Sequence, residues 1–413
     1  MRDGEREALE AVVLVSEGVP PHEALDTGSA EAWVAFDTAV RELAHRPWRL
    51  PHLDEKRPGL SALFGFRPSP PPPRPPALAL CHPDGRVREA ALDGIDAAPE
   101  LHPLLVVRCA DWAEPVRERA RLLLGKLSAR ELVPLTELTL RLSRRAQGHF
   151  ARALLERALR EWPAADVLAL AAHPDRATYR FAYRGAVDRG LLTPSELAAT
   201  AATCGDVTLQ DLCAEAAVAA PTGAAEQAAV LDRLLTARAA RVRAAGVTAL
   251  RRAGRHGEAR TFLADRSPVV RACARYVLRQ GGVDPLPVYR TLCAEPDAHP
   301  AAAAGLGECG ERATDARTLW LLVEHPLPVV RLNAITGLRA LDEAVRERLT
   351  PLLDDPSPAV VRAATRALLP EAAGIPESLL RERSAPDRPR AVRVAAARLL
   401  RAAERHHRPP PGY

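Results

Sequence analysis

Apolar positions recur with the spacing of a helix rather than that of a strand. In the stretch DRSPVVRACARYVL (265–278), Val270, Ala274 and Val277 lie three or four residues apart, which places them on one helical face. Ser267 can cap the amino end of this helix, and Pro268 suits its first turn. The pattern predicts a helix that follows a tight turn and buries one face.

This pattern returns along most of the chain. A second apolar segment of helical spacing precedes each copy, and residues that form turns separate the two. The ten steps from Arg88 to Arg393 give a mean period of about 30 residues. The clear copies align at Arg88, Arg117, Arg243, Arg271, Arg331, Arg362 and Arg393, and the weaker copies at Arg152, Arg180, Gln210 and Ala303.

A single helix hairpin cannot bury its own apolar face, whereas stacked hairpins bury a continuous core. The repeats therefore predict an all-α fold, a right-handed α-solenoid of about eleven helix-turn-helix units. High contents of Ala, Leu and Arg, together with only 4% aromatic residues, also favour helices over strands.

The repeat resembles the HEAT-repeat family, and most closely its short, roughly thirty-residue phycobilisome-lyase-like type. The resemblance covers about residues 76–405, and it is specific for fold rather than for function. It rests on two sets of residues: Asp265, Pro268, Val270, Arg271 and Ala274, and their counterparts Asp111, Pro115, Val116, Arg117 and Ala120. The repeat alone carries no chemistry for bilin attachment.

The recurring arginine has two interpretations, as a ligand-binding group or as part of the architecture. In the HEAT family, the turn aspartate and this arginine typically form a ladder between adjacent repeats, and the resemblance implies the same here. A ligand site is usually local, whereas this arginine recurs with the repeat, so we interpret it as structural. The expected ladder comprises Arg88, Arg117, Arg243, Arg271, Arg331, Arg362 and Arg393.

Residues 1–66 lie outside the period and contain Trp33, Phe36, Trp48, Phe64 and Phe66. We interpret this segment as a helical cap on the first repeat, and a partner-docking element is the alternative. Residues 67–76 are rich in proline and predict a stiff linker, with a ligand for an SH3-like domain as the alternative. The repeats would then fill 77–405, and 406–413 would form a flexible tail.

Charge and cysteine content narrow the classes of function. The net charge is +5, and almost all of the 57 basic residues are arginines, which permits contact with nucleic acid without requiring it. The seven cysteines form no CxxC pair, so we expect neither a metal site nor a disulfide framework, and a reducing cytoplasm fits. No signal peptide and no membrane-spanning segment is predicted.

Two places depart from the plain repeat pattern and supply candidate binding residues. Trp112 follows Asp111 in a turn, and the stretch TYRFAYR contains Tyr179, Arg180, Tyr183 and Arg184. Aromatic side chains together with arginine suit base stacking or peptide recognition, although core packing also explains the tyrosines. No catalytic motif and no cofactor-binding motif occurs.

These observations favour a non-catalytic scaffold that presents a solenoid surface to a protein partner. The alternative is a nucleic-acid-binding protein, and one family of alkylpurine DNA glycosylases is itself built from HEAT-like repeats. Aromatic, acidic and basic side chains of the types that those enzymes use occur here at Trp112, Asp111, Tyr183 and Arg184. The catalytic positions of that family, however, do not map onto this sequence. Nucleic-acid binding requires arginines outside the ladder to line one groove, whereas protein binding favours mixed charge with apolar patches.

Overall fold

A computed structural model describes residues 3–44, 74–220 and 223–407, and every regular element within them is helical. The α-helices up to residue 192 are α1 (Asp3–Ser16), α2 (Pro21–Ala24), α3 (Ala30–Ala44), α4 (Pro76–Leu80), α5 (Gly85–Ala91), α6 (His102–Arg108), α7 (Glu114–Leu124), α8 (Ala129–Leu132), α9 (Thr136–Leu142), α10 (His149–Ala158), α11 (Ala164–Leu170) and α12 (Arg176–Asp188).

The α-helices after residue 192 are α13 (Pro194–Thr203), α14 (Val207–Ala219), α15 (Ala224–Leu235), α16 (Ala240–Arg252), α17 (Pro268–Gln280), α18 (Pro285–Leu292), α19 (Ala302–Gly307), α20 (Arg312–Leu322), α21 (Pro328–Ala340), α22 (Arg346–Leu349), α23 (Pro358–Leu368), α24 (Glu377–Arg383) and α25 (Arg390–His407). Short 3₁₀-helices complete several repeats, at Leu92–Ala97, Pro99–Leu101, Val133–Leu135, His256–Ala264, Thr350–Asp354 and Leu369–Gly374.

The chain forms two compact units, which meet in sequence between Leu192 and Thr193. Within each unit, helices pair as hairpins and successive pairs stack, so the expected all-α, HEAT-like solenoid architecture is confirmed. Every aligned repeat position falls in the second helix of a pair. In unit 1 these second helices are α5, α7, α10 and α12, and in unit 2 they are α14, α16, α17, α19, α21, α23 and α25.

The turn before a second helix is fixed by a carboxylate more often than by a hydroxyl. Ser267 occupies the N-cap of α17, but its side chain makes no capping hydrogen bond, so that part of the sequence interpretation is wrong. The Asp265 carboxylate instead accepts the Ser267 N–H at 2.8 Å. Asp111 and Asp355 accept the N–H two residues later in the same way. An aspartate two residues before the N-cap residue is placed so that its carboxylate can reach the N–H of that residue.

The N-terminal helices share the hydrophobic core of unit 1 with the first repeats. Trp33 and Phe36 of α3 are buried and meet edge to face, with ring centroids 6.4 Å apart. These two aromatic side chains therefore serve core packing, as a cap requires. Trp48, Phe64, Phe66 and most of the Pro-rich segment lie outside the described residues, as does most of the predicted tail, and the domain boundaries at 66 and 76 stay predictions.

The weak repeat copy around Ala303 has a packing explanation. Every residue of α19 is buried, and the helix runs directly against α21. A Cβ added to Gly307 would collide with the Gly337 carbonyl, and one added to Gly337 would collide with the Ala303 carbonyl. Only small residues permit this backbone approach, so the repeat has lost its larger pattern residues here.

We expect Gly337→Ala to lower the free energy of unfolding of unit 2 by about 1–3 kcal/mol, because α19 and α21 must move apart. Denaturant titration followed by hydrogen exchange of peptides from α19 and α21 measures this loss. Gly257→Ala is the matched control, since a Cβ there meets open space. Equal stabilities for the two variants would contradict the close-approach explanation.

Candidate binding surfaces

Arg88 makes the most completely buried link between two repeats. Its Nε and Nη2 atoms donate to the two carboxylate oxygens of Asp111 at 2.9 and 2.8 Å, and both side chains are inaccessible to solvent. Its Nη1 atom donates to the backbone carbonyls of His82 and Pro83 at 2.6 and 2.8 Å. The arginine thus ties the turn of its own repeat to the turn aspartate of the next.

The same geometry recurs in unit 2. Arg243 donates to both carboxylate oxygens of Asp265 at 2.8 and 2.9 Å, and Arg331 donates to those of Asp355 at 2.9 and 2.8 Å. Each guanidinium also donates to two turn carbonyls of its own repeat. Because each aspartate also fixes the start of its own second helix, one carboxylate joins two repeats and shapes one turn.

Arg271 and Arg117 depart from this arrangement. Arg271 donates to the Asp265 carbonyl at 2.8 Å, but its carboxylate partner is Glu308, at the carboxyl end of α19. Arg117 donates to the carbonyls of Asp111 and Trp112 at 3.0 and 3.3 Å. No carboxylate of the following repeat meets Arg117 among the described contacts, so this arginine closes its own turn only.

The structure places Arg362 and Arg393 outside the ladder, since both side chains are exposed. The other ladder arginines lie six residues after the first turn residue, and in α23 that position belongs to the buried Val361. One extra residue in DDPSPAVVR shifts Arg362 by about 100° around the helix. Arg393 does lie six residues after Asp387, but the described residues beyond it contain no further repeat turn whose carboxylate it could meet.

Some ion pairs with at least one buried member gave no signal in the sequence. Asp37 of α3 pairs with Arg108 of α6, which also lies 3.1 Å from Asp111 through Nη1. Arg290 of α18 donates to Asp315 at 2.9 Å. These pairs join residues that lie outside the recurring motif, so the repeat alignment could not reveal them.

Trp112 is 72% exposed, and the Arg88 guanidinium lies 5.5 Å from the centre of its ring. Its neighbour Asp111 is fully engaged by Arg88, Arg108 and the Ala113 N–H. Trp112 lines a shallow cavity of about 350 Å³ at α3 and α6, whereas Arg184 lines a different one. The residues considered for DNA base excision therefore do not converge on one cavity.

The arginines of TYRFAYR line a groove in unit 1, but the tyrosines do not. Arg180 and Arg184 face a cavity of about 800 Å³ bounded by α9, α10 and α12. Tyr179 and Tyr183 are half-buried on other sides of α12. We call this cavity the arginine groove. Its basic side chains are Arg144, Arg152, Arg160, Arg180, Arg184 and Arg189, and its acidic side chains are Glu156 and Asp188.

Unit 2 has a second concentration of arginine, which we call the arginine surface. It lies along α21, α23 and α25, where two adjoining cavities of about 210 and 440 Å³ share Arg362 and Arg366. Neither cavity is lined by an acidic side chain, and all five guanidinium groups are exposed. The arginine surface comprises Arg339, Arg362, Arg366, Arg390 and Arg398.

These five arginines have no salt-bridge partner among the described residues. The arginine surface is therefore a cluster of like charges that no carboxylate of the described chain balances. Sequence reasoning missed it because its members come from three repeats and occupy different positions within them.

The cysteines and carboxylates of the described residues form no cluster that could hold a metal ion. Burial raises the pKa of Cys213 to about 11 and that of Cys293 to about 12, so these thiols stay protonated at neutral pH. None of the described helices is long and apolar enough to cross a membrane. The cytoplasmic location stays a prediction.

No family model matches the sequence, and no curated protein matches it. Among solved structures, the chain is similar to an engineered protein determined by the Northeast Structural Genomics Consortium, with 18% identity over 98% of this chain and 99% of the other, at a TM-score of 0.24. It is also similar to Kap121p, with 13% identity over 97% of this chain and 54% of Kap121p, at a TM-score of 0.31. Scores this low establish no shared arrangement of the whole chain.

We expect Arg88→Met to cost unit 1 about 3–5 kcal/mol of stability, because it leaves part of a buried charge network uncompensated. Arg362→Gln should change the stability of unit 2 by less than about 0.5 kcal/mol, because its side chain is exposed. Hydrogen exchange of peptides from α5 and α23 across a denaturant series measures both. A comparable loss at Arg362 would contradict its placement outside the ladder.

The ladder also predicts a loss of stability in acid. Burial raises the pKa of Asp265, but hydrogen bonds from Arg243 and Ser267 outweigh it, so the net pKa lies below the ordinary value of 3.8. A depressed pKa stabilises the fold above the pKa of the unfolded chain, and this contribution is lost as pH falls through the folded value. We expect unit 2 to weaken below about pH 4.

Asp265→Asn should flatten this acid dependence, since it removes one titrating group, and it should lower stability at neutral pH. The measurement is the free energy of unfolding against pH for the variant and the wild type. Asp232→Asn, at an exposed position of α15, is the control and should leave the profile unchanged. An identical acid slope in Asp265→Asn and the wild type would refute the contribution of this carboxylate.

Proposed function

We propose that the chain is a non-catalytic binding protein of the short HEAT-repeat type, and that unit 2 binds the phosphate backbone of nucleic acid. The observation that carries this proposal is the arginine surface, where exposed guanidinium groups of three successive repeats meet no carboxylate. A planar guanidinium fork matches phosphate oxygens with two parallel hydrogen bonds. An unbalanced row of such forks favours a polyanion as the ligand.

The spacing of the helices suits an extended polyanion. Helices α21, α23 and α25 pack directly on one another, and packed helix axes lie roughly 8–10 Å apart. The surface therefore extends over about 20 Å, which corresponds to about six phosphates of one strand of duplex DNA. Five arginines along this length can each meet a phosphate without reading a base, so we expect weak sequence preference.

The non-catalytic part of the proposal is supported by the contacts of Asp111, the carboxylate considered for base excision. Base excision needs a carboxylate that can stabilise a cationic sugar, and Asp111 is instead held by two arginines in the buried ladder. The cavities of the arginine surface are lined by no carboxylate at all. A protein that only holds the nucleic-acid backbone needs no such group.

We expect the full chain to bind a dye-labelled 20-base-pair DNA duplex with a strong salt dependence. Five phosphate contacts give a slope of about −4.5 in a plot of log affinity against log salt concentration. Replacing Arg362, Arg366 and Arg398 together by Gln should reduce the magnitude of this slope by about 2.7. Fluorescence anisotropy between 50 and 200 mM salt, roughly the range over which counterion release is felt, measures both slopes.

The matched control replaces Arg260 and Arg317 by Gln, since both are exposed in unit 2 on first helices and outside the arginine surface. This variant should bind like the wild type. The proposal fails if the duplex does not bind at low salt, or if the triple variant keeps the wild-type slope. It also fails if polyglutamate displaces the duplex at equal charge concentration, because the surface would then select acidic protein.

A further inference from the structure

The arginine groove of unit 1 differs from the arginine surface of unit 2 in having an apolar floor. Leu140, Leu159 and Phe181 line the groove beneath its charged rim. Leu140 and Leu159 are buried, and Phe181 is half-buried with its ring edge to face against Trp162 at 6.4 Å. The phosphates of a nucleic-acid backbone gain nothing from such a floor, so the groove suits a ligand with apolar side chains.

The groove exists because two successive second helices are separated. In unit 2, α21, α23 and α25 pack directly on each other, whereas α10 and α12 make little direct contact. Helix α12 packs instead on α9 and α11. At Gly185 the backbone of α12 comes so close to the Leu159 side chain that a Cβ would overlap it, which brings the two walls together there. The cleft is thus part of the packing of unit 1.

The length of the groove fits a short helix. Its lining positions on α12 run from Ala177 to Asp188 and recur at three- and four-residue spacing, so they occupy one face of that helix. Eleven residues at 1.5 Å each span about 17 Å, or three helical turns. An amphipathic helix laid in such a groove presents apolar anchors one or two turns apart to the floor.

The rim specifies the charge of the occupant. Arg144, Arg160 and Arg184 are exposed and enter no salt bridge among the described residues. The Glu156 carboxylate already accepts a hydrogen bond from Arg152 at 2.8 Å. Arg160 and Arg184 lie exposed on opposite walls, on the α10 and α12 sides. A segment with apolar anchors on one face and carboxylates along both edges complements the floor and the rim together.

We propose that the arginine groove binds an acidic amphipathic helix of a protein partner. This inference goes beyond nucleic-acid binding and concerns a different unit of the chain. It gives the protein two separate contacts, one for a polyanion and one for an acidic protein segment. Apolar anchors supply affinity at the floor, and the charged rim selects acidic over basic segments.

The test uses the full chain carrying Arg362→Gln, Arg366→Gln and Arg398→Gln, so that the arginine surface retains only Arg339 and Arg390. The probe is a dye-labelled peptide of about 14 residues, long enough for the three turns of the groove, with leucines at i, i+3, i+4 and i+7 and glutamates elsewhere. We expect saturable binding by fluorescence anisotropy. Arg160→Glu with Arg184→Glu should weaken it at least about tenfold, since each reversal turns an attraction into a repulsion.

Arg157→Glu is the matched control, because Arg157 is exposed on α10 but does not line the groove. It should leave the affinity unchanged. Circular dichroism melting of each variant checks that the helices remain folded. A peptide with serine in place of leucine should bind at least about tenfold more weakly, since each buried leucine contributes about 1.5–3 kcal/mol.

Four outcomes would overturn the proposal. The first is no binding of the leucine peptide, and the second is equal binding of the serine peptide, which would mean charge attraction alone. The third is undiminished affinity in the folded Arg160/Arg184 variant. The fourth is displacement of the peptide by stoichiometric inorganic pyrophosphate, which would assign the groove to a small anion. None of these outcomes bears on DNA binding by unit 2.

Discussion

The buried bidentate pair between an arginine of one repeat and the turn aspartate of the next organises this solenoid. A guanidinium and a carboxylate are costly to remove from water, and the cost is offset only when every donor and acceptor finds a partner. Arg88 meets this condition with Asp111 and with two carbonyls of its own turn. Because the geometry succeeds only when neighbouring turns align, each pair sets the stacking of two repeats.

The same constraint explains where the repeats deviate. At α19 the close backbone approach of Gly307 and Gly337 leaves no room for the larger side chains of the repeat pattern. Glu308 supplies the carboxylate with which Arg271 pairs. In α23 one extra residue after the helix start at Pro358 puts Val361 in the buried position and Arg362 on the surface. The arginine at this position therefore joins no repeats and lies exposed in the arginine surface.

The two proposed contacts follow from different packing of second helices. Where α21, α23 and α25 lie against each other, their exposed arginines form a shallow charged surface that suits a phosphate backbone. Where α10 and α12 separate, an apolar floor opens between charged walls and suits an amphipathic segment. Asp111, the carboxylate considered for base excision, lies in neither site, because it is held in the ladder by Arg88.

The sequence by itself determined the helical hairpins and their period, and it placed Arg88, Arg243 and Arg331 at the ladder position, because these depend on local spacing and recur with the repeat. It misplaced Arg362, since a one-residue insertion changes a helical face without disturbing the motif. It grouped Tyr179 and Tyr183 with Arg180 and Arg184. Consecutive residues of an α-helix point in directions about 100° apart, so each tyrosine lies on a different face from the arginine that follows it. Only the tertiary structure decided which arginines are buried, which pair with Asp37 or Glu308, and which gather into a surface, because those outcomes depend on residues from different repeats meeting in space.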